Sequence, residues 1–511
     1  MSTAHRVAKN TLFLYVRMAV SILVNIFTTR ILLQALGVSD YGLYNVVGGA
    51  IAMLGFLSSS MSAATQRFIS YAEGEGKADR IVSIFNNSVL IHRYLALAVV
   101  LLLAAGGLIF FNGVLNIPAG RETAAIFVYG CLLFSAVYSI TIVPYDALLN
   151  AHENMRYYSL LGIADVIFKL IIALIVLFLD TERLILYAIL MAAEAWLLRY
   201  LTKAYCLRHY SESRSLDLRR YRDSSSIRSM LSFAAWNLTS TASSMISLFG
   251  IGIVVNHYFG TTVNAAMGVA TQVAGVLMAV GSNMLKALTP ILVKKEGAHD
   301  RQQMLNISYI GSRFNYLLYA FFGIPLLFWL HTLLNLWLTV VPDWTIIFCA
   351  IAIINAIVES LTVFLHQTIM AEGNIRNYNI AYSVCNILPI LLSILVYALF
   401  NLAPYWAMIF WGIFKAVFGG MVKLYYCKRN IGLSLTAFNK FVTLPCMYVT
   451  VICVVISYLV SQIPAPNTIL SLGYLLSIYL LSVPFYWFIA LQKSERQQIK
   501  SMIPSFGVFR R

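Results

Sequence analysis

An eight-residue phrase of this sequence occurs twice, once in each half of the chain. Residues 151–158 read AHENMRYY and residues 371–378 read AEGNIRNY, so that Ala, Asn, Arg and Tyr recur at the same four places. Three further matches follow in the same order at nearly the same offset: residues 86–94 with 306–314, 75–80 with 296–301, and 36–37 with 259–260. Matches at one offset indicate a duplicated structural unit.

Long apolar segments separate these phrases and place the duplicated unit in a membrane. Hydrophobic residues make up 60% of the chain and charged residues 11%, against about half and about a quarter in soluble domains. A helix that crosses a bilayer needs roughly 20 mainly apolar residues. Fourteen segments qualify: residues 11–36, 41–70, 85–111, 123–150, 158–179, 184–204, 229–258, 262–292, 307–330, 345–370, 379–400, 404–426, 441–460 and 468–489. We therefore predict an all-α integral membrane protein with about fourteen transmembrane helices.

Charge at the helix ends predicts the orientation. If the amino end lies in the cytoplasm, the opposite side keeps only Arg121 and Arg183, and the other basic residues near helix ends face the cytoplasm, as the positive-inside rule requires. Both termini are then cytoplasmic. The first apolar stretch is too long for a signal-peptide core, so we expect it to be retained as an anchor. The net charge of +16 follows from this retention signal, with contact to membrane lipids, and we expect no nucleic-acid partner.

The offset assigns six spans to each copy of the unit. An even number of spans returns the chain to the same side, so the copies are parallel repeats. We predict a six-helix bundle over residues 1–204, a basic cytoplasmic linker over 205–228 and a second six-helix bundle over 229–427. Residues 428–511 form an appended hairpin of helices 13 and 14 with a cytoplasmic tail. The linker is interpreted either as a hinge or lipid contact, or as a solvated connection, and the second is favoured.

Ionisable side chains inside spans mark the candidate site, since each costs roughly 2.5–3.5 kcal/mol on insertion scales. The basic candidates for substrate binding are Arg17, Arg30, Arg67, Arg93, Lys286, Arg313 and Lys415. The acidic candidates for ion coupling are Asp165, Glu194 and Glu359. With Lys169 included, basic groups outnumber acidic ones by eight to three. This balance favours an anionic cargo such as a phosphate or diphosphate headgroup, which arginine binds bidentately.

Each candidate has an alternative structural interpretation. Asp165 and Lys169 are four residues apart on one helix face and can neutralise each other. Arg30, Arg67 and Lys286 lie toward span ends, where long side chains reach the headgroups. Arg93 and Arg313 are repeat mates, so an architectural role competes with substrate contact. Arg17 and Lys415 have no acidic partner one turn away on their own helix, and they are the best candidates for unpaired positive charge in a cavity.

Two six-helix repeats, two extra spans, the phrase LGVSDYGLY at residues 36–44 and the phrase AHENMRYY together resemble the polysaccharide and O-antigen flippases. These belong to the multidrug/oligosaccharidyl-lipid/polysaccharide exporter superfamily, with the MATE pumps and the lipid II flippase. The resemblance implies two bundles in a V-shaped arrangement. It also implies a carrier of undecaprenyl-diphosphate-linked sugar repeat units that acts by alternating access in the bacterial inner membrane. Arg17 is the residue that matches the family's cavity arginine on span 1, and Lys286 takes a comparable place on span 8.

Two other transport functions stay open at this point. One is a MATE-like exporter of drugs or metabolites driven by Na⁺ or H⁺, which requires an essential carboxylate such as Asp165 or Glu359. The other is a lipid II flippase, which the hairpin of spans 13 and 14 also resembles. We expect no enzyme, because the outward loops are too short for a catalytic domain and no phosphate-binding glycine loop, metal-ligand spacing or nucleophile motif is present. We expect no cofactor and no catalytic or metal-binding residues. We expect a monomer that contacts the glycan polymerase machinery.

Overall fold

The computed structural model describes residues 3–52, 55–109, 111, 120–179, 182–338, 340–493 and 495–497. All regular elements in these ranges are helices. They are α1 (Thr3–Ala52), α2 (Gly55–Gly74), α3 (Ala78–Ile109), α4 (Glu122–Ala151), α5 (Met155–Phe178), α6 (Arg183–His209), α7 (Ser211–Arg214), α8 (Ser224–Gly297), α9 (Arg301–Trp337), α10 (Thr345–Ser360), α11 (Val363–Glu372), α12 (Arg376–Leu399), α13 (Trp406–Gly412), α14 (Gly419–Tyr426), α15 (Leu435–Phe438), α16 (Leu444–Ser461) and α17 (Thr468–Phe485). Four π-helical turns adjoin the later helices: Ile413–Phe418, Cys427–Ile431, Asn439–Thr443 and Tyr486–Ala490.

The all-helical membrane prediction is confirmed. Eleven helices in the described ranges are long and apolar enough to cross a membrane, or twelve if the bent pair α10–α11 forms one span. Helix α8 is counted once, although its 74 residues would extend for roughly 110 Å at 1.5 Å per residue. Gly260, with φ +83°, interrupts it at the boundary predicted between spans 7 and 8. The predicted second span crosses residues 53 and 54, which lie outside the described residues.

Backbone conformation repeats at the offset seen in the sequence. Gly37 interrupts α1 with φ 75° and Gly260 interrupts α8 with φ 83°, and these two glycines are equivalent positions of the sequence repeat. Glu153 and Gly373, the third residues of the two copies of the doubled phrase, both take positive φ. This conformation is costly for a residue other than glycine. The third residue of each phrase therefore takes a left-handed conformation at the turn that follows the preceding helix.

Side-chain contacts repeat as well. Arg80 pairs with Glu75 at the turn between α2 and α3, and Arg301 pairs with Glu296, 2.8 Å away, at the turn between α8 and α9. The Cys206 thiol donates to the Tyr145 carbonyl over 3.6 Å, and the Cys427 thiol donates to the Leu365 carbonyl over 3.5 Å. The second member of each pair of contacts follows the first at the offset of the sequence phrases, as expected for copies of one unit.

The chain forms two compact units, and their boundary falls inside α8. The first unit is Ala8–Leu238, and the second comprises Met1–Val7 with Thr239–Arg511. In the first unit α4 packs against α2, α3 and α6, and apolar residues of α1, α5 and α6 form a core cluster. In the second unit α9 packs against α10, α11, α16 and α17.

Loops at the two ends of the first unit confirm that its helices alternate in direction. Arg121, before α4, pairs with Asp40 of α1 and with Glu182 before α6, each over 2.8 Å. At the other end His152, after α4, lies 3.7 Å from Glu73 of α2 and 3.3 Å from Glu212 of α7. Loops that the sequence assigns to one side of the membrane therefore meet each other.

The first copy of the doubled phrase connects helices at the end of this unit where α4 ends and α5 begins. Asn154 caps α5, because its Oδ1 accepts from the Tyr157 amide over 3.2 Å. Its Nδ2 donates to the hydroxyls of Tyr205 and Tyr210 at the end of α6, over 2.8 and 3.2 Å. In this copy the asparagine therefore caps α5 and ties it to the end of α6. In the second copy Asn374 instead donates its backbone N–H to the Glu372 carboxylate over 3.0 Å.

The predicted linker, residues 205–228, belongs to the first unit and is held against α3. Asn86 Nδ2 donates to the Ser215 carbonyl, and Asn86 Oδ1 accepts from the Asp217 amide, each over 2.9 Å. Asn87 Oδ1 accepts from the Asp223 amide over 3.1 Å. Both asparagines are buried. The segment is therefore a docked strap, and the solvated-connection interpretation misses these contacts.

The appended hairpin, α16 and α17, packs on α9 through an anchored arginine. Arg313 of α9 is buried, pairs with Glu495 beyond α17, and donates to the Phe441 carbonyl over 2.9 Å. Higher along α9, Trp329 Nε1 donates to the Ser471 carbonyl over 2.9 Å. Arg313 therefore performs the architectural role that the sequence left open.

We predict that Arg313→Gln loosens the hairpin. The substitution leaves the Glu495 carboxylate buried without its partner, which destabilises by about 3–5 kcal/mol. The midpoint for thermal labelling of the buried thiols Cys446 and Cys453 by a fluorogenic maleimide should fall. Arg93→Gln is the matched control, since the repeat mate is exposed and its loss should change stability by less than about 0.5 kcal/mol. Equal midpoints for the two variants would contradict the anchoring role.

We also predict pH-dependent stability at the basic end of the first unit. Burial lowers the pKa of His152, but hydrogen bonds and charge interactions with Glu212 and Glu73 outweigh burial and raise it to about 9. Because the folded pKa lies above the unfolded value of about 6.5, the stabilisation is complete below pH 6.5 and is lost as pH rises through about 9. The melting temperature should fall between pH 7 and 10 in the wild type and less steeply in His152→Asn. The exposed His209→Asn should keep the wild-type slope, and a wild-type slope in His152→Asn would disprove the assignment.

Candidate functional site

The basic candidates fall into both units, with different surroundings. Arg17, Arg30, Arg67 and Arg93 belong to the first unit, and Lys286, Arg313 and Lys415 belong to the second. Their partners decide which positive charges are compensated within the protein.

Arg17 lies against the start of α5. Its guanidinium carbon is 4.6 Å from the centre of the Tyr158 ring, in a cation–π contact. A Cβ atom on Gly162 would lie 2.0 Å from the Arg17 Nε, so the absence of a side chain there makes room for the guanidinium. Among the described residues, no carboxylate lies within the 4.0 Å ion-pair distance of Arg17. We call Arg17, Tyr158 and Gly162 the Arg17 cluster.

The same face of α5 continues into a carboxylate cluster. Tyr158, Gly162, Asp165 and Lys169 are spaced four, three and four residues apart, which places them in one stripe along the helix. Lys169 Nζ pairs with Asp165 Oδ2 over 2.9 Å, which confirms the predicted ion pair. Glu194 of α6 interacts electrostatically with both Asp165 and Lys169. We call Asp165, Lys169 and Glu194 the carboxylate cluster.

Glu194 is the buried member of this cluster. Its residue is 7% exposed, and among the described residues its Oε1 has no hydrogen-bond donor. A buried carboxylate oxygen without a donor is costly. A proton or a bound cation at this oxygen would remove the cost. Glu194 is therefore suited to take up and release a proton or a cation.

The other basic candidates of the first unit have aromatic or open surroundings. The Arg67 guanidinium carbon lies 5.0, 5.4 and 5.2 Å from the ring centres of Phe68, Tyr71 and Phe233. Arg30 and Arg93 are exposed on α1 and α3. In the described part of the chain neither forms an ion pair with a carboxylate.

In the second unit Lys415 is not unpaired, contrary to the sequence-based expectation. Its Nζ lies 3.1 Å from Glu359 Oε2 and 4.9 Å from the centre of the Trp411 ring. The partner, Glu359, belongs to α10. The sequence-based argument considered only acidic residues on the helix of Lys415 and therefore did not find it. Lys415 occupies the π-helical turn Ile413–Phe418, and such turns re-aim side chains, often at functional sites.

Sequence reasoning missed a buried cluster beside this pair. Lys423, fully buried in α14, lies 5.1 Å from the centre of the Tyr382 ring, and its Nζ donates to Thr362 Oγ1 over 3.4 Å. His366 Nδ1 lies 2.6 Å from the Tyr378 hydroxyl. Thr362 lies at the 42° bend between α10 and α11. These polar side chains cluster where the helix is broken. The sequence contains no proline at this point that would predict the break.

The tyrosines of the doubled phrase reach these clusters. Tyr158 carries Arg17, and Tyr378 is fully buried and stacks on Tyr382. The phrases lie at the turns before α5 and α12, and in each unit the last residue of the phrase contacts a charged or titratable side chain. A tyrosine four residues after the asparagine of each phrase is the signal that could have located both clusters.

Two basic candidates of the second unit remain. Arg313 is committed to Glu495 and Phe441, as described above. Lys286 is half-buried in α8. No group of three or more metal-ligating side chains occurs in the described ranges.

No family model matches the sequence, and no curated protein matches it. Solved structures match at low identity over most of the chain. A MATE variant is 12% identical, with a TM-score of 0.70, covering 86% of this chain and 100% of its own. A MATE protein in complex with MaD3S is 13% identical, with a TM-score of 0.72, covering 85% and 96%. A MOP-superfamily transporter from Pyrococcus furiosus Vc1, described by the reverse polarity of its binding pocket, is 12% identical, with a TM-score of 0.69, covering 86% and 99%.

At these identities the likeness concerns the fold. The chain is a multi-pass integral membrane protein with a MATE-like fold.

Proposed function

We propose that this protein is a flippase for lipid-linked anionic glycans. Its cargo is an undecaprenyl-diphosphate-linked oligosaccharide repeat unit, carried from the cytoplasmic to the periplasmic leaflet of the bacterial inner membrane by alternating access. The observation that carries the proposal is Arg17, a guanidinium inside a span that is stacked on Tyr158 and paired with no carboxylate in the described part of the chain.

The energetics of Arg17 favour an anionic ligand. A charge costs up to roughly 2.5–3.5 kcal/mol, the value at the centre of a span, and Arg17 lies in the first half of the span Ala8–Gly37. Stacking on an aromatic ring recovers about 0.5–2 kcal/mol. A diphosphate supplies the missing acceptor oxygens, which a guanidinium binds in bidentate geometry. The contact with the Tyr158 ring uses a face of the guanidinium and not its N–H groups, which leaves these donors for such a ligand.

Other basic groups rank behind Arg17 in the proposed cargo contact. Arg30, Arg67 and Lys286 are retained as contacts with the headgroup or sugar. Lys415 and Arg313 are compensated by Glu359 and Glu495, so their charge is already satisfied in the protein. A ligand that bound Lys415 would have to displace Glu359.

The proposed energy source is an ion gradient, coupled through the carboxylate cluster. Asp165 and Glu194 interact across α5 and α6, and Asp165 lies one turn from Gly162 on the face that carries Arg17. Uptake of a proton or cation by Glu194 would change the field along this stripe. Glu359 is a second coupling candidate, because the Lys415 pair opens if its carboxylate is neutralised.

The surroundings proposed for the protein follow from its charge and fold. Both termini lie in the cytoplasm, membrane lipids contact the basic ends, and the chain acts as a monomer next to the glycan polymerase machinery. Nucleic acid is not a partner, since the basic residues at the helix ends account for the net charge.

The first test uses two ways of disturbing Arg17. Arg17→Ala removes the charge, and Gly162→Ala displaces it, because the new Cβ would occupy the place of the Arg17 Nε. Loss of a charge-assisted hydrogen bond of about 1.5–3 kcal/mol predicts roughly tenfold to hundredfold slower transport in both variants. The measurement is surface glycan per unit of membrane protein, in the source strain with its own gene deleted.

Gly130→Ala is the matched control, since a Cβ there meets no atom within 4 Å. It should leave surface glycan unchanged. Normal surface glycan in both Arg17→Ala and Gly162→Ala, at normal protein levels, would reject the proposed contact.

A MATE-like ion-coupled exporter of drugs or metabolites is the second candidate function, and the carboxylate cluster favours it. Glu194→Gln removes the titrating group without changing its volume. For the flippase we expect surface glycan to fall by at least about tenfold and resistance to cationic compounds to stay the same. Loss of resistance to cationic compounds with normal glycan would support the exporter. Transfer of lipid II by the purified protein in vesicles would instead support the lipid II flippase.

A further inference from the structure

One carboxylate of the second unit lies near two lysines. Glu359 of α10 pairs with Lys415 over 3.1 Å. Lys423 of α14 interacts electrostatically with the same carboxylate, although among the described residues no carboxylate lies within the 4.0 Å ion-pair distance of its ammonium group. These three side chains therefore carry one positive charge in excess.

The π-helical turn Ile413–Phe418 places both lysines on one face of their helix. Hydrogen bonds in such a turn reach one residue further along the chain than in an α-helix, so the turn takes up one extra residue. Lys423 follows Lys415 by eight residues, which then span about the two turns that seven residues span in a regular α-helix. Two full turns bring a side chain back to the same face.

The opposing side chains form a stripe at the end of α10. Asn355, Glu359 and Thr362 are spaced four and three residues apart. Asn355 packs on Gly412, where a Cβ atom would clash with the Asn355 amide. Thr362 Oγ1 accepts from Lys423 Nζ over 3.4 Å. The two helices are therefore in contact one turn before and one turn after the carboxylate, and Glu359 can change partner by rotation of its side chain.

The two lysines differ in their accessibility. The side chains of Lys415 and Glu359 are 15% and 17% exposed, whereas Lys423 is 2% exposed. Trp411 holds Lys415 at the accessible place, since its ring centre lies 4.9 Å from Lys415 Nζ and its Nε1 donates to Ser247 Oγ over 3.0 Å. An anion that enters this cluster therefore meets Lys415 first.

We infer that Glu359 has two alternative partners, Lys415 in the empty protein and Lys423 when an anionic group of the cargo occupies Lys415. This inference rests on the proposed function, which supplies the diphosphate as the incoming anion. A diphosphate carries more negative charge and more acceptor oxygens than a carboxylate, so it displaces Glu359 from Lys415. Lys423 receives the displaced carboxylate, which would otherwise stay buried without a partner. Lys423 is thus a positioning residue that does not touch the cargo.

The surroundings of Lys423 agree with a partner that arrives only at one stage of transport. Its ammonium group reaches the Thr362 hydroxyl and lies 5.1 Å from the centre of the Tyr382 ring, and a buried charge with neutral neighbours alone is costly. His366, which also interacts with Glu359, is held by the Tyr378 hydroxyl over 2.6 Å. Lys423 is therefore the neighbouring cation that can take over the carboxylate.

The first test needs no cargo. Lys415→Met, Lys423→Met and the double variant of the purified full-length protein are compared by the midpoint for thermal labelling of their buried thiols. If either lysine can pair with Glu359, the midpoint of the double variant should fall by at least about 3 °C more than the two single falls together. In a Glu359→Gln background the falls should add, because the carboxylate that the lysines share is gone.

Lys428→Met is the matched control, since this lysine is exposed one turn after the cluster, and its effect should add to that of Lys415→Met. Additive falls for Lys415→Met and Lys423→Met with Glu359 present would overturn the inference, as would an equal excess in the Glu359→Gln background. Should the double variant fail to accumulate, its recovery by Glu359→Gln would support the inference, and no recovery would overturn it.

The second test adds farnesyl diphosphate as a soluble lipid diphosphate and measures its binding by equilibrium dialysis. An Arg17→Ala background keeps the Arg17 cluster from binding the probe. In this background Lys423→Met should weaken binding by about tenfold, and Glu359→Gln should reduce that loss to less than about twofold because no carboxylate is displaced. Glu359→Gln alone should bind the probe more tightly.

An equal loss in Lys423→Met with and without Glu359 would show that Lys423 contacts the cargo and would overturn its positioning role. Binding to the wild type but not to Arg17→Ala would show that Lys415 takes no diphosphate and would overturn the inference as well. If the wild type itself binds no farnesyl diphosphate, the result counts against the flippase proposal. The labelling midpoints then still decide whether the two lysines share Glu359.

Discussion

The cost of a charge within the membrane governs how this structure places its polar residues. Each such charge must find a partner in the protein, reach the headgroups or meet a ligand. Lys169, Lys415 and Arg313 follow the first course, through Asp165, Glu359 and Glu495. Arg17 has no carboxylate partner within the described chain, and its stacking on Tyr158 compensates the cost only in part. This difference gives Arg17 a functional interpretation and gives the paired cations Lys169 and Arg313 a structural one.

The two repeats share turns and helix breaks but differ in the side chains at equivalent interior positions. Gly37 and Gly260 interrupt equivalent helices, and the ion pairs of Arg80 and Arg301 close equivalent turns. Tyr382 stands in the second unit where Gly162 stands in the first, and Ser240 stands where Arg17 stands. In the first repeat a large cation, Arg17, lies over a glycine. The equivalent positions of the second repeat hold a small serine and a large tyrosine.

Much of the fold could be predicted from the sequence, because apolar length and a constant repeat offset are properties of the chain itself. The candidate site was predictable only as a set of residue types. Lys415 was considered unpaired because Glu359 lies on another helix, remote in the sequence, and no spacing rule connects two helices. Lys423 and His366 were missed as a cluster because the bend at Thr362 that gathers them carries no proline. Gly162 was not predicted as part of the site. A glycine makes room for a neighbouring side chain only if the fold places one opposite it, and the sequence does not show that.

The appended hairpin explains why Arg93 and Arg313, equal in the sequence, have different environments. The second unit adds α16, α17 and Glu495, which bury the arginine of α9 and satisfy its charge. The described part of the first unit supplies no such carboxylate to Arg93, and this arginine stays exposed. Repeat mates therefore have different environments, because a segment that only one repeat carries covers one of them. A peripheral segment lies on the third helix of each repeat, but different residues hold it: Arg313 anchors the hairpin on α9, and Asn86 and Asn87 anchor the strap on α3.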